Sequence, residues 1–187
     1  GTSAGVAKPN DSYQEKLEKL VAIKPEQSSF NVRVWTNKEE YQIGEKIIFS
    51  VESKQNGYLT LLDVDPNGNI NIIFPNKFHQ ENFIRAGETY NVPSKEYNFA
   101  LDVRGPSGLE RIKAIITLDD IALLEMDFDQ GFHSVQGGTT RGMRDIKVLS
   151  NKVLSEEGLD WAEAYSEIFI FKKGERYTRG SRKIPNP

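Results

Sequence analysis

Residues 57–74 of the chain read GYLTLLDVDPNGNINIIF, and this stretch decides the fold class. Two apolar segments, Gly57 to Asp63 and Asn69 to Phe74, flank the tetrapeptide Asp65-Pro66-Asn67-Gly68. Proline presets φ at the second position of a turn, and the Asn-Gly pair tolerates positive φ. We therefore predict a β-hairpin here.

Further strands are predicted on both sides of the hairpin, because short apolar segments alternate with turn residues. They cover residues 30–36, 46–53, 89–92, 97–103, 109–117 and 161–171. In the last of these, Ile168 and Ile170 are expected to face the core. Many short strands without alternating helices predict an all-β fold, either an immunoglobulin-like antiparallel sandwich or a partly open barrel.

The rest of the chain is expected to be peripheral. Short helices are predicted at residues 11–20 and 121–126, and in part of 144–154. We predict a leader with a short helix (1–29), one β-sandwich domain (30–172) with a long loop near 127–142, and a basic C-terminal tail (173–187) in loop or disorder.

Composition excludes several classes of function. The 187 residues include no cysteine, so thiol catalysis, disulfides and cysteine–zinc sites are excluded. A formal net charge of −3 gives no general attraction to nucleic acid. No apolar run approaches the roughly 20 residues of a membrane-spanning helix.

Several short motifs lie between Val34 and Asn76, and two more follow at Gly105. They are Trp35-Thr36-x-Lys38, Tyr41-x-x-Gly44-Glu45, Gly57-Tyr58-Leu59, Asp63-x-Asp65-x-x-Gly68, Phe74-Pro75-Asn76, Gly105-Pro106-x-Gly108 and Glu110-x-x-Lys113-Ala114. Over roughly Phe30 to Thr117 the chain resembles an uncharacterised bacterial family, the domain of unknown function DUF4384.

The resemblance implies a function without supplying catalytic residues or a cofactor. Such domains occur alone in exported or lipid-anchored bacterial proteins, and appended to kinases or caspase-like peptidases. The expectation is a non-catalytic protein-interaction or assembly module of an exported or envelope-associated protein, in the periplasm or at the cell surface. Its expected partner is another protein; a carbohydrate is the alternative.

Three residues after the hairpin are candidates for binding. Phe78, His79 and Phe83 lie in a polar loop segment, and loops carry function more often than strands do. Five large aromatic residues could form a sugar- or peptide-stacking surface, but core packing is expected for most of them. They are Trp35, Tyr41, Tyr58, Phe74 and Phe78.

The hairpin turn also imitates the start of a calcium loop. Asp63, Asp65 and Asn67 provide oxygens at the first, third and fifth positions, and Gly68 follows at the sixth. The twelfth position should carry a bidentate glutamate, but it is Phe74, so a plain β-turn explains the stretch better. A calcium-assisted carbohydrate module stays open as the alternative.

A hydrolase is the least favoured alternative. His133 and Ser134 lie close to Asp127 and Asp129 in sequence. Members of a catalytic triad come from separate parts of a fold, and no Gly-x-Ser-x-Gly motif is present. We therefore assign no catalytic residue and do not expect an enzyme.

Overall fold

Two β-sheets packed face to face form the body of the protein. The computed structural model describes residues 29–120, 160–178 and 182–185, together with residues 15, 18, 19, 21–25, 124–126 and 146–148. The strands are β1 (Val32–Thr36), β2 (Glu40–Gln42), β3 (Phe49–Ser53), β4 (Gly57–Val64), β5 (Ile70–Phe74), β6 (Phe83–Ile84), β7 (Thr89–Val92), β8 (Gly108–Thr117), β9 (Leu124–Met126), β10 (Ile146–Val148), β11 (Trp161–Phe171), β12 (Glu175–Thr178) and β13 (Arg182–Pro185).

The small sheet has the order β1-β3-β7 and the large sheet the order β2-β11-β8-β4-β5, with β6 paired to the start of β4. Strands β9 and β10 pair with each other, as do β12 and β13. All pairs are antiparallel except β2 with β11, which is parallel. The sheets do not close into a barrel, and the predicted all-β sandwich is confirmed.

The core lies between the two sheets, because alternate side chains of each strand point to one face. Val34 and Val51 come from the small sheet, and Leu61, Ile112 and Ile168 from the large one. Ile168 and Ile170 are both fully buried, as their positions predict. Of the five aromatic residues considered for the core, Tyr41 and Phe74 belong to it, whereas Trp35 and Tyr58 are only partly buried and Phe78 is exposed. The expectation that most of the five lie in the core is wrong.

The predicted hairpin is confirmed as β4 and β5, with Val64 opposite Ile70 and Asp63 opposite Asn71. Gly68 has a φ of 85°, the left-handed conformation that the Asn-Gly pair indicates.

The strand predicted at 97–103 is wrong. Leu101 and Val103 are buried, so the segment has the alternation of a half-buried extended chain. Its backbone hydrogen bonds go to the loop at residues 44–47 instead of to a strand: the Ile47 amide donates to the Leu101 carbonyl (3.0 Å) and the Val103 amide to the Glu45 carbonyl (2.8 Å). Extension alone does not make a strand, because a ladder needs a continuous partner.

Two other predictions for the later part of the chain also need correction. Residues 124–126 form β9, where a short helix was predicted over 121–126. Residues 146–148 form β10, and the rest of the segment 144–154, predicted to be partly helical, lies outside the described residues. The basic tail contains the hairpin of β12 and β13, where loop or disorder was predicted. Pairing with a partner strand overrode local propensity in each case. The loop predicted at 127–142 lies outside the described residues.

The N-terminal helical residues end on the outer face of the large sheet. Residues 15, 18, 19, 21 and 22 are helical, two residues beyond the predicted end. The last carbonyls of a helix lack partners within it. Here the buried Lys113 ammonium donates to the carbonyls of Val21 (2.7 Å) and Ile23 (2.8 Å), and it lies 2.7 Å from the Glu163 carboxylate. No helix among these described residues is long and apolar enough to cross a bilayer.

Candidate binding cleft and a buried acid pair

A cavity of about 570 Å³ opens beside strands β6 and β7. Leu59 and Phe74 line it from the large sheet, and Tyr90 lines it from β7. His79 and Phe83, two of the three candidate binding residues, also line it. We call this cavity the cleft.

A buried asparagine shapes one wall of the cleft. The Asn76 side-chain carbonyl accepts hydrogen bonds from the amides of Phe78 (2.9 Å) and His79 (3.1 Å). Its amide group donates to the carbonyl of Ile73 (3.1 Å). An asparagine that bonds to nearby backbone groups replaces the hydrogen bonds of a regular turn. Asn76 therefore presents Phe78 and His79 at the surface from a rigid base.

Five rings stack into what we call the aromatic ladder, formed by Phe78, Phe99, Tyr97, His79 and Phe74. Successive ring centroids along it lie 6.0, 5.7, 4.1 and 5.8 Å apart, and all these pairs are stacked. Aromatic pairs at such separations add about 0.5–1.5 kcal/mol each beyond burial. The stacked pairs hold these rings in one continuous aromatic row beside the cleft.

The opposite wall holds an exposed ring in a defined position. The Leu59 amide donates to the Asn82 carbonyl (2.8 Å), and the Asn82 side chain donates back to the Leu59 carbonyl (2.9 Å). Phe83 follows, 39% exposed, and its ring packs edge-on against Tyr58 at 5.3 Å. This ring is available for contact although its backbone is fixed.

Strand β7 provides an open sheet edge beside these rings. Within the part of the chain that the structure describes, β7 pairs with β3 alone. All four residues of β7 line the cleft. Pro93 follows the strand and limits pairing to four residues, because proline has no amide hydrogen.

Acidic side chains surround the cleft. The residues that line the cleft include three glutamates, Glu81, Glu88 and Glu96, and one lysine, Lys95. All four side chains are exposed. Burial raises the pKa of the Tyr97 phenol, and the charges of Glu96 and Glu81 raise it further. Both causes favour the neutral phenol over the phenolate.

The third candidate binding residue lies apart from the cleft lining. Phe78 is 39% exposed at the outer end of the aromatic ladder, where it stacks on Phe99. Sequence reasoning missed Tyr97, because the alternation around it predicted a strand. It also missed Tyr90 and the three glutamates, which converge on the cleft only through the fold.

The residues of the calcium hypothesis have different surroundings. Asp65 stabilises the turn, because its carboxylate accepts hydrogen bonds from the backbone amides of Asn67 (2.8 Å) and Asn69 (2.9 Å). Asp63 is fully buried, whereas Asn67 is exposed. In the described ranges, no group of three or more histidine or acidic side chains is arranged to hold a metal ion. The turn interpretation accounts for Asp65, and calcium binding stays a prediction.

Asp63 instead belongs to a buried acid pair with Glu110 of β8, and both side chains have no exposed surface. The Asp63 carboxyl interacts with the side chains of Glu110 and Asn71. Burial raises the pKa of Asp63 well above its ordinary value, and the charge of Glu110 raises it further. Burial also raises the pKa of Glu110 to about 7, so the pair retains a proton in the fold near neutral pH.

The hydrolase hypothesis concerned Asp127, Asp129, His133 and Ser134, which lie outside the described residues. The hypothesis stays a prediction, testable by His133→Ala.

Comparison with known families places the cleft within a recognised domain. Residues 40–120 match the family model described as a domain of unknown function, DUF4384. The resemblance predicted from the motifs is confirmed. Trp35-Thr36-x-Lys38 lies before the matched stretch, whereas all cleft residues and the acid pair lie inside the DUF4384 region. No curated protein and no solved structure gives a significant match to the chain.

Proposed function

We propose that this protein is a non-catalytic binding module that holds an extended peptide segment of a partner protein in the cleft. The observation that carries the proposal is the position of the open β7 edge beside a preformed aromatic wall. An incoming strand pairs its backbone with such an edge and places alternate side chains in the adjoining pocket.

The dimensions of β7 define the segment. Four residues of extended chain span about 13 Å at roughly 3.3 Å per residue. Backbone pairing supplies affinity with little demand on sequence. The rings of Phe83, Tyr90 and the aromatic ladder then select among side chains, because they offer a large apolar area with little conformational freedom to lose.

The family resemblance supplies the proposed setting. DUF4384-like domains accompany exported proteins and signalling or peptidase domains, which favours an accessory role in assembly outside the cytoplasm. A partner segment held by strand addition fits that role, because the backbone of a short exposed strand can pair with segments of many different sequences.

Selection from a phage-displayed library of random peptides tests the proposal. Enriched peptides should bind the wild type and lose about tenfold or more in affinity for Phe83→Ala. The matched control is Leu109→Ala, which removes a similarly exposed apolar side chain (40%) outside the cleft. N-methylation of alternate peptide amides should abolish binding in one register only, because only alternate amides face β7. Peptides that bind all three proteins equally would refute the proposal.

Carbohydrate binding is the second candidate, favoured by the exposed Phe78 ring at the end of the aromatic ladder. Sugar rings stack on exposed aromatic faces. Specific binding to glycans on an array that is lost in the Phe78→Ala variant would favour a carbohydrate-binding module over a peptide-binding one. A blank array alongside enriched peptides would exclude it.

A further inference from the structure

We infer that the cleft selects a partner segment that carries a lysine or arginine side chain. The cationic group of that side chain would bind the carboxylates of Glu81, Glu88 and Glu96, which line the cleft. This inference rests on the proposed function and names the chemistry of the partner. Three carboxylates, those of Glu81, Glu88 and Glu96, line the cleft against the one ammonium of Lys95.

Within the part of the chain that the structure describes, no salt bridge neutralises the three carboxylates, although six ion pairs form elsewhere. Glu88 accepts a hydrogen bond from the Tyr90 hydroxyl (3.0 Å), which orients its carboxylate without cancelling its charge. A bound cation would gain charge-assisted hydrogen bonds to these carboxylates.

The carboxylates also lie close to the aromatic rings of the cleft. Glu96 and Glu81 line the cleft together with Tyr97, which stacks on His79 at 4.1 Å. Burial raises the pKa of the Tyr97 phenol most, and the charges of Glu96 and Glu81 raise it further. The site therefore combines a negative field with half-buried rings. A purely apolar partner would leave these carboxylates partly desolvated and unpaired, which costs free energy.

Long cationic side chains match both features. Lysine and arginine place an aliphatic stem along apolar surface and keep the charged end among polar groups. In the cleft, Phe83 and Tyr90 offer rings for the stem, and the glutamates accept the cation. An acidic or a short neutral side chain satisfies neither requirement.

Two probes test the inference. In the peptides enriched against the cleft, each lysine or arginine is replaced by norleucine, which keeps the aliphatic stem and removes the charge.

Separately, N-acetyl-lysine amide and N-acetyl-norleucine amide are titrated into the protein, and the NMR resonances of Tyr97 and Phe83 are followed. The variant Glu81→Gln/Glu96→Gln removes two carboxylates, and Glu39→Gln/Glu40→Gln removes the same charge at exposed positions outside the cleft.

We expect norleucine at one peptide position, and the Glu81→Gln/Glu96→Gln variant, each to lower affinity about tenfold or more. Added salt should weaken wild-type binding more than binding to that variant, because exposed charges are screened. The lysine probe alone should shift the cleft resonances of the wild type and of the control.

The outcomes separate the two proposals. Peptides that bind the cleft equally well with norleucine would overturn the cation inference and leave strand addition standing. A lysine probe that binds the wild type but not the Glu81→Gln/Glu96→Gln variant, with no peptide enriched, would retain the cation site and refute strand addition. Neither peptide nor probe binding would overturn both.

Discussion

Replacing the buried acid pair by amides should remove a pH dependence of stability that the wild type shows between about pH 5 and pH 7. The perturbation is Asp63→Asn with Glu110→Gln, which exchanges each carboxyl for a neutral group of nearly the same shape. Both side chains lie on the inner face of the large sheet without exposed surface. The double variant therefore differs from the wild type in the ionisable groups of the pair, whereas the volume of the two side chains stays almost constant.

The magnitude follows from the pKa of Glu110. Burial raises it from 4.5 to about 7. At about 1.4 kcal/mol for each pH unit, this rise corresponds to about 3 kcal/mol. Asp63, whose pKa burial also raises, adds to the same trend.

The sign follows from proton linkage. Well below the unfolded pKa values of 3.8 for Asp63 and 4.5 for Glu110, both carboxyls are protonated in the folded and the unfolded chain, and the stability they contribute is fully present. Above these values the unfolded chain releases protons that the fold retains, so the free energy of unfolding falls as pH rises through the folded pKa. The expected slope is up to about 1.4 kcal/mol per pH unit for Glu110, and Asp63 adds to it.

Urea unfolding at several pH values, followed by circular dichroism, measures this directly. The wild type should lose stability from pH 5 to 7, whereas the double variant should stay flat. The exposed Glu167→Gln serves as the control and should follow the wild type. Glu163 does not interfere: burial would raise its pKa, but hydrogen bonds from Lys113 and Lys24 hold it below 4.5, so its contribution is lost only at lower pH.

Two results would refute the reasoning. Equal and flat profiles for the wild type and the double variant would mean that the pair is solvated or ionised in the fold. Alternatively, calcium could raise the stability of the wild type at pH 7 relative to a chelator, with no effect on Asp63→Asn. A cation, and not a proton, would then neutralise the pair.

Three further predictions concern the parts that support the cleft and the sandwich. Lys113→Met should lower the free energy of unfolding by about 3 kcal/mol, because it leaves helix carbonyls and the half-buried Glu163 with fewer partners; urea titration measures it. Gly57→Ala should cost about 2 kcal/mol in the same assay, because the added carbon would lie 2.6 Å from the Ile116 side chain. Asn76→Ala should lower stability by about 2 kcal/mol and weaken the selected peptides in fluorescence polarisation, because the turn of the cleft wall loses its hydrogen bonds.

Each of these predictions has an outcome that contradicts it. A Lys113→Met protein as stable as the wild type would show that the helix end is held by other contacts. Unchanged stability in Gly57→Ala would mean that strands β4 and β8 separate easily at this point. For Asn76→Ala, the exposed Asn98→Ala is the control, and equal peptide affinity in both would remove Asn76 from the architecture of the cleft.

Local sequence patterns determined most strands of the sandwich. The hairpin of β4 and β5 followed from Asp65-Pro66-Asn67-Gly68, and β11 from the alternation that buries Ile168 and Ile170. Residue type and spacing along one segment contain this information, because turn geometry and side-chain alternation are local properties. The DUF4384 resemblance rested on local motifs too, and the match over residues 40–120 confirmed it.

Tertiary structure alone decided the sites. Asp63 and Glu110 are 47 positions apart in the printed sequence, yet they share one buried environment because β4 and β8 are neighbours in the large sheet. The cleft likewise unites Phe83 of one sheet with Tyr90 of the other. Strand order depends on contacts between distant segments, which no local pattern specifies. It sets the burial of the acid pair and the open edge of β7 on which the proposed binding depends.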